Sequence, residues 1–145
     1  MTFFWTVISG FLIFVFGQFF LKLVLEPIVA FKESLGSLSA FCLRNQGKIT
    51  NGNATLEEQN ELRLIISTIL SKKQAIPFYA ELSAVLVLPN SENLLLACKN
   101  LNFVAYEMYR ETDMHEDTTV KYEKIVMELH KTSKLLDLRL DFESL

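Results

Sequence analysis

The sequence predicts an all-α protein: an N-terminal transmembrane helix followed by a cytoplasmic helical bundle of about four helices. Three observations predict it. The first 21 residues carry no charged side chain and eight of them are aromatic. Downstream, apolar residues recur at spacings of three and four, and no stretch alternates apolar and polar positions for long enough to be a half-buried strand. The division falls at 1–25 for the anchor and 26–145 for the domain, whose roughly 120 residues suit a single hydrophobic core.

A helix over the uncharged stretch rises about 30 Å, the thickness of the hydrocarbon layer. A secretory signal is the competing reading, but no basic residue precedes the apolar run, and Phe19, Phe20, Lys22 and Leu23 are poor cleavage neighbours. Lys22, Lys32, Arg44 and Lys48 follow the span, so the positive-inside rule places the domain in the cytoplasm. Trp5 suits the far interface and Lys22 can snorkel to the near one. Thr6, Gly10 and Gly17 leave room for a second helix to approach, and Gln18 offers a carboxamide that seeks a partner. These four residues are the candidate oligomer interface. Gln18 also reads as an interfacial residue one turn before Lys22.

Beyond Lys22 the apolar period continues through Leu23, Leu25, Ile28, Val29, Phe31, Leu35, Leu38, Phe41 and Cys42, so the first helix runs straight into the domain. Glu26-Pro27 interrupts it, and a proline inside a helix loses a hydrogen bond and crowds the preceding turn. A kink or break is expected there, making Glu26 and Pro27 the candidate hinge. Ser34, Gly36, Ser37 and Ser39 form a small-residue face. Asn45-Gln46-Gly47 and Asn51-Gly52-Asn53 are turn chemistry. Thr55 with Glu58 three residues on is a capping box for a second helix, which carries Leu56, Leu62, Ile65, Ile66, Ile69 and Leu70 on one face and stops near Gln74.

Pro77 opens a third helix over Phe78 to Leu88, whose unbroken apolar character predicts deep burial; the rival reading of Val85 to Leu88 as a strand lacks a partner strand. Ser91 caps a fourth helix with Leu94, Leu95, Cys98, Leu101, Val104, Ala105 and Met108 at the recurring spacing. Asp117 or Thr118 caps a last helix reaching about Leu140, where Tyr122, Ile125, Val126, Leu129, Leu136 and Leu140 approximate a coiled-coil period.

Composition excludes several kinds of chemistry. From residue 51 onward there are 15 acidic against 10 basic side chains, with no basic stripe, so no nucleic-acid partner is expected. Cys42 and Cys98 lie in apolar stretches with no histidine nearby in sequence, the pattern of buried reduced thiols rather than nucleophiles or a disulfide. Asp113, His115 and Asp117 alternate as metal ligands can, but beyond His130 no distant set completes a site, and a solvated helix start explains them. Glu81 and Glu92 flank the most apolar region without forming an acid–base pair. Only five glycines occur and none are grouped, so no phosphate loop exists. No catalytic, cofactor-binding or metal-ligating residue is expected, and the chain reads as not an enzyme.

The peptide Ala75-Ile76-Pro77-Phe78-Tyr79, with Leu88-Pro89-Asn90, Asn93-Leu94 and the juxtamembrane Glu26-Pro27, resembles the core of a group of small single-pass bacterial membrane proteins. The resemblance covers Gln18 to about Tyr109 and implies architecture and a bacterial inner-membrane location; the group carries no assigned activity. The expectation is a non-enzymatic protein that sits in the lipid bilayer, associates with its own copies and scaffolds a protein partner. Two alternatives accompany it. One is an oligomeric membrane-perturbing effector or channel, anti-phage or toxin-like, with Gly10, Gly17 and Gln18 on its axis. The other is an anchored ligand sensor with a pocket near Tyr79, Glu81 and Tyr106.

Overall fold

Helix α1 (Thr2–Phe20), a single wide π-helical turn (Leu21–Leu25) and α2 (Glu26–Arg44) form one continuous rod of 43 residues. This computed structural model describes residues 1–112 and 117–142. Among them every regular element is helical, and the fold is all-α. The backbone stays helical through Glu26 and Pro27 rather than breaking. Pro27 has no N–H to give and its ring crowds the carbonyl four residues back; the wide turn just before it, in which the Glu26 N–H donates to the Leu21 carbonyl, accommodates both.

Past Pro27 one face of α2 buries Ile28, Phe31, Leu35, Leu38, Phe41 and Cys42. Of the small-residue face, Ser34 is buried and the Ser39 hydroxyl donates to the Arg139 carbonyl, while Gly36 and Ser37 face out. The turn expected at Asn45-Gln46-Gly47 is a five-residue helix, α3 (Gln46–Thr50), closed by the Thr50 hydroxyl donating to Gln46 O at 2.9 Å. The turn at Asn51-Gly52 does occur, with Gly52 at φ +60°.

Helix α4 (Leu56–Gln74) begins at the capping box: the Glu58 N–H donates to Thr55 Oγ1 at 3.3 Å, and the Thr55 N–H to Glu58 Oε2 at 2.8 Å. It buries Leu62, Ile66 and Ile69, while Leu56, at its first position, is exposed. Two ion pairs, Arg44–Glu61 at 2.8 Å and Lys48–Glu58 at 2.5 Å, fasten its start to the far end of α2 and to α3, so α4 runs back toward α1.

Helix α5 (Tyr79–Leu86) corrects the expectation of deep burial: only Tyr79 and Ser83 are buried, and Phe78, Val85 and Val87 lie open. It is entered and left through left-handed residues, Phe78 at φ 51° and Val87 at φ 54°, which turn the chain sharply at both ends. With α2, α4, α6 and α7 supplying the core, α5 lies across one end and presses a single face to it.

Asn90, not Ser91, caps α6 (Ser91–Glu107), with Asn93 N–H donating to Asn90 Oδ1 at 2.7 Å. Asp117 caps α7 (Thr118–Leu136), accepting from Thr119 N–H at 3.0 Å. That helix stops four residues short of Leu140, at the left-handed Asp137, and Leu140 is buried in the segment that follows. Packing runs α2 on α4, α4 on α6 and α6 on α7, with α3 against α7. One apolar cluster from Ile28 to Leu140 joins them.

Candidate functional site

Helix α1, long and apolar enough to span a membrane, stands apart from this core. No side chain of α1 is buried, and Phe3, Phe4, Trp5, Phe11, Phe14, Phe16, Phe19 and Phe20 are all exposed. At 100° per residue Thr6, Gly10 and Gly17 fall within about 40° of one another on the helix surface, with Gln18 about 100° further round. A Cβ added at Gly10 or Gly17 would meet nothing within 4 Å. The Thr6 hydroxyl is spent on its own helix, donating to Thr2 O at 2.9 Å, as is that of Ser9, donating to Trp5 O at 2.6 Å. The Gln18 carboxamide makes no hydrogen bond among the described residues; it shares a surface crevice with Phe14, Phe19, Lys22 and Leu23.

The second open feature is a groove of about 740 Å³ between α4 and α6. Ile66, Leu70, Leu95, Leu96 and Cys98 line it, with Arg63, Glu92 and Lys99 also on its walls. It exists because the two helices pack less closely with each other than α2 does with α4 or α6 with α7. Leu95 and Leu96 are exposed although α6 already buries a full face through Leu94, Ala97, Leu101 and Val104. Helix α6 is thus apolar on more of its circumference than the bundle covers.

The residues weighed as a ligand site do not converge. Tyr79 is buried at the start of α5, its ring 5.8 Å from that of Phe31 at 84° and its hydroxyl donating to Pro89 O at 2.5 Å. Glu81 is exposed, and Tyr106 is exposed in the last turn of α6, about 22 Å from Ser91 at 1.5 Å per residue. Asp113 and His115 lie outside the described residues, His130 is exposed, and among the described residues no three His, Cys, Asp or Glu side chains gather as metal ligands.

Lys121, with Glu107 and Asp141, is one of three buried charged residues among those described that sequence reasoning missed. It is 6% exposed, and its ammonium donates to Thr112 O at 2.9 Å and Tyr109 O at 3.2 Å. Its stem crosses Gly52, where an added Cβ would fall 2.6 Å from Lys121 Cε.

Both cysteines are buried free thiols. Burial, then the nearby Asp141 carboxylate, pushes the Cys42 thiol from its ordinary 9.0 up to about 12. Burial alone pushes Cys98 from 9.0 to about 11 and Tyr79 from 10.0 to about 12. At neutral pH both thiols are protonated, which disfavours nucleophilic chemistry. The folded chain keeps these protons where the unfolded chain releases them. Stability is therefore complete below about pH 8.5 and falls as pH rises toward 11, each group adding a slope of at most about 1.4 kcal/mol per pH unit. Urea midpoints measured from pH 7 to 10.5 should fall once pH passes 9; a flat profile would mean that the thiols sit in water.

No family model, curated protein or solved structure matches this chain, so the site rests on its own residues.

Proposed function

We propose that the chain is a non-enzymatic, single-pass membrane protein whose cytoplasmic helical bundle associates with its own copies and holds a protein partner at the membrane face. The observation that carries this reading is α1, nineteen residues without a charge and without a buried side chain. In water so large an apolar surface would drive aggregation; in a bilayer it is ordinary. The four basic residues that follow it favour a cytoplasmic domain, and the architecture fits a bacterial inner membrane. Glu26 and Pro27, next to the wide turn, are the place for a hinge between span and bundle. The groove between α4 and α6 is the surface on offer to an apolar partner segment.

Thr6, Gly10 and Gly17 form the stripe on which two spans meet, and Gln18, about a quarter-turn away, lies off it. Since added bulk at either glycine touches nothing within one chain, replacing both by isoleucine leaves the monomer intact and acts only on association. Crosslinking of the full chain in membranes should lose about tenfold of its dimer in Gly10→Ile/Gly17→Ile. Unchanged crosslinking would remove this interface. A second reading, an oligomer that perturbs the membrane, draws on the unpartnered Gln18 carboxamide. Ion flux from reconstituted vesicles that Gln18→Leu abolishes would support it, and tight vesicles would dismiss it.

A further inference from the structure

Helix α5 packs Tyr79, Leu82, Ser83 and Leu86 on the bundle and shares a crevice with Asn93, Leu135 and Asp137 on its Val87 side, while Phe78 and Val85 stand open; the path of the chain says what they face. Helix α2 leads away from the span, the Arg44–Glu61 and Lys48–Glu58 pairs turn the chain at the far end, and α4 returns. The return ends at Gln74, and four residues later Tyr79 packs edge-on against Phe31, a residue close to the span end of α2. So α5 caps the end of the bundle that the span enters. Here Phe78 is 77% exposed, Val85 76% and Val87 84%, and Glu81 is the sole charged residue of the helix.

Phe31 lies nine residues beyond Lys22, about 13 Å along the rod. With Lys22 at the edge of the hydrocarbon, the headgroup layer occupies about the first 5 to 8 Å of that distance. A Phe78 ring turned toward the membrane spans much of the rest, and a valine side chain only part of it. A tilt of about 20°, usual for a single span, lowers a segment one helix diameter to the side by about another 3 Å. Lys72 and Lys73 close α4, with Lys73 Nζ 5.1 Å over the Tyr79 ring, and Lys22 and Lys32 stand on the rod. Glu26, Glu33, Glu81, Glu92 and Asp137, the last in a crevice with Val87, share this end and balance the lysines, so the attraction to lipid is chiefly apolar.

We propose that the segment from Phe78 to Val87 inserts into the headgroup layer of the bilayer that α1 crosses, a second and shallower contact that clamps the bundle against the membrane. The proposal rests on the membrane reading of α1, and its test separates the two. The full chain carrying a single added cysteine is labelled with an environment-sensitive fluorophore and reconstituted in vesicles of three parts phosphatidylcholine to one part phosphatidylglycerol. Quenching is then measured with lipid bearing a nitroxide near the headgroup for positions 85 and 57, and with lipid bearing it deep in the acyl chain for position 14, which lies about 12 Å inside the hydrocarbon edge at Lys22. Val85→Cys reports on α5, Phe14→Cys on the span, and Glu57→Cys on the far end of the bundle; Cys42 and Cys98 are buried, and the unmodified chain gives their background.

The expected result is strong quenching at position 85, little at 57, and a severalfold loss of the signal at 85 when Phe78→Ser and Val87→Ser are added. Quenching at 14 without quenching at 85 overturns the clamp and leaves the anchor standing. Quenching at neither overturns both. A blue-shifted label at 85 that lipid nitroxide does not quench means that α5 is covered by protein, such as a second copy of the chain, and overturns the clamp as well.

Discussion

Phe31→Ala lowers the melting temperature of the bundle by about 10 to 20 °C. The side chain is wholly buried and stands edge-on to Tyr79. Removing a buried phenyl ring forfeits its transfer free energy and leaves a cavity that its neighbours fill only in part, a loss of about 3 to 5 kcal/mol. Against a domain stability of about 5 to 15 kcal/mol this is a large fraction, and at this size each kcal/mol moves the midpoint by several degrees. The loss should also be unevenly spread. Helix α5 is held to the bundle mainly by Tyr79, Leu82, Ser83 and Leu86, so hydrogen exchange in α5 should accelerate more than in α6 or α7. Near-ultraviolet circular dichroism of the full chain in detergent reports the melting of tertiary structure without interference from the helicity of α1. A midpoint shift below about 3 °C would mean that Phe31 is not packed as described.

Lys121→Met is the second large effect. Methionine retains most of the stem and deletes the ammonium, leaving two carbonyls, Tyr109 O and Thr112 O, without their donor. Charge-assisted bonds of this kind contribute about 1.5 to 3 kcal/mol each, and relief from desolvating the ammonium offsets part of that, so the net loss should be about 2 to 3 kcal/mol. The damage should centre on the joint where three segments meet. Ala54 N–H donates to Met108 O at 2.9 Å, Arg110 N–H donates to Ala54 O at 3.0 Å, and Lys121 crosses over Gly52 beside them. Gly52→Ala attacks the same joint from the other side, because alanine is strained at φ +60° and its Cβ would displace the pinned lysine stem. Urea unfolding of each variant checks the prediction. Stability equal to or above that of the unaltered chain in Lys121→Met would show the ammonium to be a burden rather than a tie.

The helices legible in the sequence are those whose period and caps agree. Helix α4 starts at the Thr55–Glu58 box and carries Leu62, Ile66 and Ile69 inward, and α7 starts at Asp117 and buries Ile125, Leu129 and Leu136. The misreadings have physical causes. Continuous apolarity in α5 was equated with burial in a protein core, yet Phe78, Val85 and Val87 would read the same if they faced lipid. Asn45-Gln46-Gly47 has turn composition, but the Thr50 hydroxyl closes a short helix over it. Lys121 and Gln59 escaped notice because polarity masked their position. Lys121 stands four residues before Ile125, and Gln59 three before Leu62, each on the buried stripe of its helix; Gln59 Nε2 donates to Ala105 O at 2.8 Å there. A polar residue in an apolar register was the available signal. In the candidate interface the spacing of Thr6, Gly10 and Gly17 reads directly from the sequence, whereas counting helix angle puts Gln18 about a quarter-turn off that stripe and so separates it from the other three.

Retention of the full chain in membranes tests the central claim most directly. Membranes from cells expressing it are washed with high salt and then with alkaline carbonate, and the chain is followed by its mass. The account predicts an uncleaved chain that remains in the pellet through both washes and leaves only with detergent. Recovery in the supernatant, or a product shortened near residue 20, would contradict it.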